Sequence, residues 1–187
     1  MAIYVDKTLY KGRPMNTREA NEMRCYDVLD SLNIEYLRVD HDNADTIEAC
    51  ASVEKVLEYR ICKNLFLTNR QQTEFYLLLM PGDKPFKTKF LSKQLGTARL
   101  SFADAQAMEK HLDIQPGSVS VLGILNDKEN KVHLVMDRDI YDDGYICCHP
   151  CRNTSTLKIS AKDVTEKIVP FSNHEITIVD LPWESDE

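Results

Sequence analysis

The run Arg60-Ile-Cys-Lys-Asn-Leu-Phe-Leu-Thr68 sets a cation among aliphatic side chains. A period of two places Ile61, Lys63, Leu65 and Leu67 on one side of a strand, with Cys62, Asn64, Phe66 and Thr68 on the other. Lysine is rarely buried without a partner. Either the four-carbon stem of Lys63 carries its amine past the strand edge to water, or the ammonium meets a carboxylate, a carbonyl cluster or an anionic ligand. In the second case Lys63 can do chemistry.

Other groups were weighed for chemistry. Cys147, Cys148, His149 and Cys151 nominally offer four zinc ligands. Adjacent strand positions point to opposite faces, however, and no second ligand pair stands at zinc spacing, so no metal site is expected. Asp142-Asp143-Gly144 reads as a turn rather than an acid–base pair. The loop around Gly117 has no Gly-Lys-Ser/Thr and is not a phosphate loop. No Gly-x-Ser-x-Gly elbow is present. His41 lies in a polar loop after a strand, either lining a cleft or at the surface. His111, His133 and His174 carry no functional signal.

The elements that must position these groups follow from periodicity. Residues 1–15 form a lead-in. Asn16 with Glu19 reads as a capping box before a helix of Ala20, Met23, Tyr26, Leu29 and Leu32, which Asn33 can close. Ile34–Val39 reads as a strand. Asp45 with Glu48 opens a second helix to about Tyr59, with Ile47, Val53, Val56 and Leu57 inward. The Lys63 strand and the apolar run Phe75–Met80 form a central hairpin. Lys84, Lys87, Lys89, Lys93 and Arg99 make a local basic surface on a segment closed by Gly96. Ser101 with Asp104 starts a helix to about His111. Strands are expected at Val121–Leu125, Lys131–Asp137, Tyr145–Cys148, Thr156–Ile159 and Glu175–Val179, with a helix from Ser160 to about Val169. This is an α+β domain with a mixed, mostly antiparallel central sheet and helices outside. Residues 1–187 read as one domain, with 183–187 frayed.

The 187 residues suit one core. The net charge of −7 counts against a sequence-blind nucleic-acid binder but leaves room for a local basic face. The opening residues hold no apolar secretory segment and no run approaches the ~18 apolar residues of a membrane span. A cytoplasmic protein with reduced thiols is expected.

Three stretches together resemble a known family. They are Lys63-Asn64-Leu65-Phe66-Leu67, then Pro116-Gly117-Ser118-Val119-Ser120 with Gly123 and Asn126-Asp127, then His149-Pro150 with Asn153-Thr154. Their order and spacing, from about His41 to Ile159, are similar to those of the freestanding prolyl-tRNA editing proteins, relatives of the insertion editing domain of bacterial prolyl-tRNA synthetase. The resemblance implies a trans-acting hydrolase that clears tRNA(Pro) charged with a wrong small amino acid, most often alanine, on a sheet that is partly barrel-like. It implies catalytic roles for Lys63, Gly117 and His149, and substrate contacts for His41, Asn64, Ser118, Val119, Ser120 and Val121. Lys84, Lys87, Lys89, Lys93 and Arg99 would then take acceptor-stem phosphates. Neither a cofactor, a membrane nor DNA is implied, and transient contact with prolyl-tRNA synthetase is. One departure stands out: the family loop reads Gly-x-x-x-Pro, and Val121 occupies the proline position. A loop relaxed by that change would fit a non-catalytic sensor of aminoacyl-tRNA or amino acid, the alternative to the hydrolase.

Overall fold

Along residues 2–184, which the computed structural model describes, the chain runs β1 (Tyr10–Lys11), α1 (Ala20–Ser31), β2 (Tyr36–Asp40), α2 (Ile47–Leu57), β3 (Cys62–Thr68) and β4 (Phe75–Pro81). It continues through α3 (Thr88–Leu95), β5 (Ser101–Phe102), α4 (Ala105–Leu112), a 3-10 helix (Val121–Asn126), β6 (Val132–Asp137) and α5 (Arg138–Tyr141). Last come β7 (Tyr145–Cys148), β8 (Ser155–Ser160), α6 (Ala161–Asp163), a π-helical turn (Val164–Ile168), α7 (Val169–Phe171) and β9 (Ile176–Val179).

The apolar run at 75–80 pairs antiparallel with the Lys63 strand, Lys63 opposite Met80 and Phe66 opposite Leu77. Alternation buries β4 on both faces. Phe75, Leu77 and Leu79 enter one apolar cluster, while Tyr76, Leu78 and Met80 enter another beneath α3. At roughly 1.5–3 kcal/mol for each large side chain taken from water, this strand anchors the fold.

The strands form two open sheets, ordered β1-β2-β8-β7 and β5-β3-β4-β6-β9. The first is antiparallel throughout; in the second, β4–β6 and β6–β9 are parallel. The expected barrel-like closure of one central sheet is therefore wrong. Among the described residues no ladder joins the ends of either sheet. Instead a shared core, with Phe66, Leu77 and Leu134 from one sheet and Tyr36, Ile146 and Leu157 from the other, holds them together. Helix α2 covers Val39 and Cys147 on the outer side of the four-stranded sheet. Cys147 and Cys148 thus face different clusters, as their adjacency on β7 requires.

Local details differ from expectation for identifiable reasons. The run Val121–Leu125 is a buried 3-10 turn, not a strand. A short apolar run carries no period that separates the two. Here the Ser120 side chain accepts from the Leu122 N–H and starts the turn. Gly123 lets the turn press on α4, since a Cβ there would lie 2.8 Å from Ile114 Cδ1. Thr46, not Asp45, caps α2 through the Ala49 N–H, and Ile47 is turned outward, 89% exposed. Helix α1 begins without a side-chain cap, so the Asn16–Glu19 box is unused. The lead-in is tied to the four-stranded sheet through β1 and a bridge from Val5 to His41. Trp183, expected in a frayed tail, donates from Nε1 to Asp139 Oδ2 at 2.8 Å. Residues 185–187 of that expected tail lie outside the described residues.

Candidate active site

The loop before the 3-10 turn is held from three directions. Gly117 has φ +87°, a conformation that favours glycine. From β3, Asn64 Oδ1 accepts the Val121 N–H at 3.0 Å. From the β7–β8 connection, the Asn153 N–H donates to Ser118 Oγ at 3.1 Å. The Asn153 side chain in turn accepts from Ala44 N and donates to Asp45 Oδ1, at 3.1 and 2.8 Å. That carboxylate sits 3.4 Å from where a Cβ on Gly117 would stand. Three loops therefore meet at Gly117.

Within this loop the N–H groups of Ser118, Val121 and Leu122 have protein acceptors. Among the described residues those of Gly117, Val119 and Ser120 have none. Backbone donors held by a fixed frame and not used by the fold are suited to an oxygen that gains negative charge. The Val121 bond depends on the residue type at this position. A proline there has no N–H to give; valine has one, and Asn64 uses it to fix the loop.

The β7–β8 connection that carries Asn153 also carries His149, whose ring centroid is 6.0 Å from that of His41. The half-buried His149 has Nδ1 2.9 Å from the Ser155 carbonyl oxygen. A carbonyl only accepts, so Nδ1 carries the proton and Nε2 keeps a lone pair. Buried His41 is used up internally, with Nδ1 2.6 Å from Asp42 O and Nε2 2.8 Å from Thr156 Oγ1. Burial pushes both imidazoles down, His149 to about 4 despite the nearby Ser155 carbonyl. Both rings are neutral at pH 7. Behind them, Ser155 Oγ donates to Asp40. Burial raises that carboxyl, but bonds from Arg18, Ser155 and Arg38 overcome the rise and hold it at about 2.

A pH dependence of stability follows. His149 titrates near 6.5 when unfolded and near 4 when folded, so between these values the unfolded chain binds more protons. Its contribution is complete above 6.5 and is lost as the pH falls toward 4. Urea midpoints should drop over this window, and His149→Asn should flatten the drop; equal slopes in both proteins would contradict the assignment.

The Lys63 strand divides the expected site. Asn64 is the β3 residue that reaches the glycine loop. The Lys63 amine instead donates to the Lys84 carbonyl at 2.8 Å, with burial lowering its pKa. It lines a hollow with Phe86, Lys87, Lys89, Arg99 and Phe102 on the α3 side. The amine and the glycine loop, joined in one catalytic site by the resemblance, lie on opposite sides of β3, because successive side chains of a strand leave on opposite faces. Lys84 must be removed from the basic surface altogether. It is 2% exposed and donates to both Asp137 oxygens and to Leu181 O, with Asp139 2.9 Å away. Lys93 is exposed on α3.

The expected substrate side chains are mostly occupied as well. Ser118 and Ser120 spend their hydroxyls on Asn153 N and Leu122 N, and Val121 and Leu122 are core residues. Val119 is half-buried. Sequence reasoning missed Asp45 because it read as a cap. It missed Ser155 and Thr156 because their partners lie more than a hundred positions away.

Comparison with known proteins shows the family. The family model for the aminoacyl-tRNA editing domain matches residues 41–167. Prolyl-tRNA editing protein ProX of Acetoanaerobium sticklandii is 32% identical over 153 residues, covering 82% of this chain and 93% of the relative. A prolyl-tRNA synthetase associated domain-containing protein of Danio rerio is 31% identical over 140 residues, covering 74% and 76%. A crystal structure whose description proposes a trans-editing enzyme for prolyl-tRNA synthetase superposes with TM-score 0.66 over 89% of this chain and 100% of that one. At 10% identity that likeness speaks for the fold alone. The chain belongs to the aminoacyl-tRNA editing domain family. No described helix is long and apolar enough to cross a membrane.

Proposed function

We propose that this protein hydrolyses the ester of tRNA(Pro) carrying a misplaced small amino acid, alanine foremost, and that it acts in trans, in transient contact with prolyl-tRNA synthetase. One observation carries the reading: a rigidly tied glycine loop with N–H groups not used by the fold, bonded through Asn153 to the connection that carries a neutral histidine with a free acceptor nitrogen. Water adds to the ester carbonyl, and the oxygen gaining charge takes bonds from the loop N–H groups. The C–O bond to the ribose then breaks. The leaving ribose oxygen takes the proton that water loses, by way of the vicinal hydroxyl, and free amino acid departs. His149 Nε2 is too weakly basic, at about 4, to be the principal proton acceptor. It is suited to accept a bond from the α-ammonium.

Selection is by size. A synthetase pocket built for proline loses only about 1–3 kcal/mol on admitting something smaller, so a second, smaller site is needed. With Val121 in the core, Val119 is the apolar side chain of the loop that can border it. Lys63 and Asn64 are successive, so a terminal nucleotide lying over this edge of β3 can set phosphate toward the amine and ester toward the loop.

The test is release of amino acid from tRNAs charged with alanine, serine, cysteine or proline, varying the acceptor stem separately. Alanine should be freed and proline kept. Lys63→Ala should lower kcat/KM about 10- to 100-fold, the range for one charge-assisted hydrogen bond. Tight binding with no turnover by the native protein would favour a sensor instead.

A further inference from the structure

The hollow beside Lys63 holds two side chains to which hydrolysis gives no task. Phe102, on the two-residue edge strand β5, is 61% exposed. Phe86 meets it edge-on, with ring centroids 6.2 Å apart and planes at 67°. The second ring props the first edge to face, and Phe102 stays largely open to solvent. Lys63, Lys87, Lys89 and Arg99 line the same hollow; among the described residues its lining holds no carboxylate, and Asp83 acts on Lys63 from outside it. In a chain of net charge −7 such a one-signed patch is a local exception. The other wall residues are short or aliphatic: Leu65, Thr88 and Ser92.

An exposed aromatic ring beside a cluster of cations matches one kind of partner, a polyanion that also presents π-faces. Duplex RNA hides its base faces against their neighbours, whereas an unpaired strand exposes them. We infer that Phe102, propped by Phe86, is a stacking platform for an unpaired nucleobase at the end of an RNA strand, whose phosphates lie along Lys63, Lys89 and Arg99. This revises the expectation of acceptor-stem contacts on this face. The partner is the single-stranded overhang, not the paired stem. The inference rests on the reading of charged tRNA as the substrate, but it does not require that the ester be hydrolysed. It also explains the position of the hollow. β5 pairs only with Leu67 and Thr68, so the earlier part of β3 has β4 on one side alone among the described strands. A strand end seated on Phe102 has a short path over that edge toward Asn64 and the glycine loop.

The experiment compares two labelled RNA hairpins by fluorescence anisotropy, one with a four-nucleotide 3′ overhang and one blunt, at several salt concentrations. The overhang hairpin should bind the native protein more tightly. Phe102→Ala should weaken its binding about 5- to 150-fold, the range of aromatic–base stacking, and leave the blunt hairpin unchanged. Phe102→Tyr should restore it. In deacylation, Phe102→Ala should raise KM and spare kcat. Equal binding of the two hairpins, or an unchanged overhang affinity in Phe102→Ala, would overturn the platform. If no charged tRNA is hydrolysed yet Phe102→Ala weakens overhang binding, the hydrolase reading fails and the platform stands. If hydrolysis proceeds at full kcat/KM in Phe102→Ala, the reverse holds. Phe102 is exposed, so these variants should fold.

Discussion

Gly117→Ala is expected to slow hydrolysis of alanyl-tRNA(Pro) about 10²- to 10³-fold under single-turnover conditions, the cost of losing one well-placed oxyanion donor. The reason lies in the backbone. At φ +87° an L-residue is strained, and the new methyl would stand 3.4 Å from the Asp45 carboxylate. The distance alone is tolerable; the conformation is not. The loop should relax toward negative φ, turning its unused N–H groups away from the ester oxygen. Asn64 and Asn153 tie the loop on either side of those donors, so the distortion stays local. Stability should fall by only about 1–2 kcal/mol, and tRNA affinity should hold. A variant that binds normally and turns over at the native rate would show that these N–H groups do not meet the developing charge.

The second large effect is on stability. Asp137→Ala should cost about 3–5 kcal/mol in urea unfolding, because it strands a buried ammonium. Lys84 and Asp137 are almost wholly enclosed, at 2% and 1% side-chain exposure. The remaining partners of the amine are Leu181 O, the half-exposed Asp139 and the Trp183 ring 4.9 Å away. Asp139 keeps one charge beside the amine, but it is shared with water and with Trp183 Nε1 and replaces the buried carboxylate only in part. Replacing both residues, as Lys84→Met with Asp137→Leu, should recover most of the loss, since similar volumes then fill the space without a charge. If the double variant is as unstable as the single, the pair contributes more than mutual neutralisation. Deacylation at low temperature should be nearly normal in the double variant, because Lys84 belongs to the frame.

The contrast between Lys63 and Lys84 shows what could be read beforehand. The alternation around Lys63 assigned its side of the strand correctly, with Leu65 and Leu67 packed toward α3 and Phe66 in the other core. Nothing in that pattern told which element covers each side. The glycine loop packs against Asn64, one residue along, and this single step separates the amine from the loop. Lys84 had every mark of a surface lysine, next to a Pro-Gly-Asp turn and in a basic stretch. Its burial depends on Asp137, 53 positions away, and on Leu181 at 97.

Strand and helix positions, the αL cap at Gly96 and the ordered motifs of the editing family were set by the sequence itself, because turn chemistry, side-chain period and motif spacing act over a few residues. Two open sheets in place of a barrel, a 3-10 turn in place of a strand, and the use of Asn64 to hold the loop at Val121 were decided only in three dimensions. Each depends on which surfaces meet across long stretches of chain. A residue's period records which way it points; it carries no record of what stands opposite.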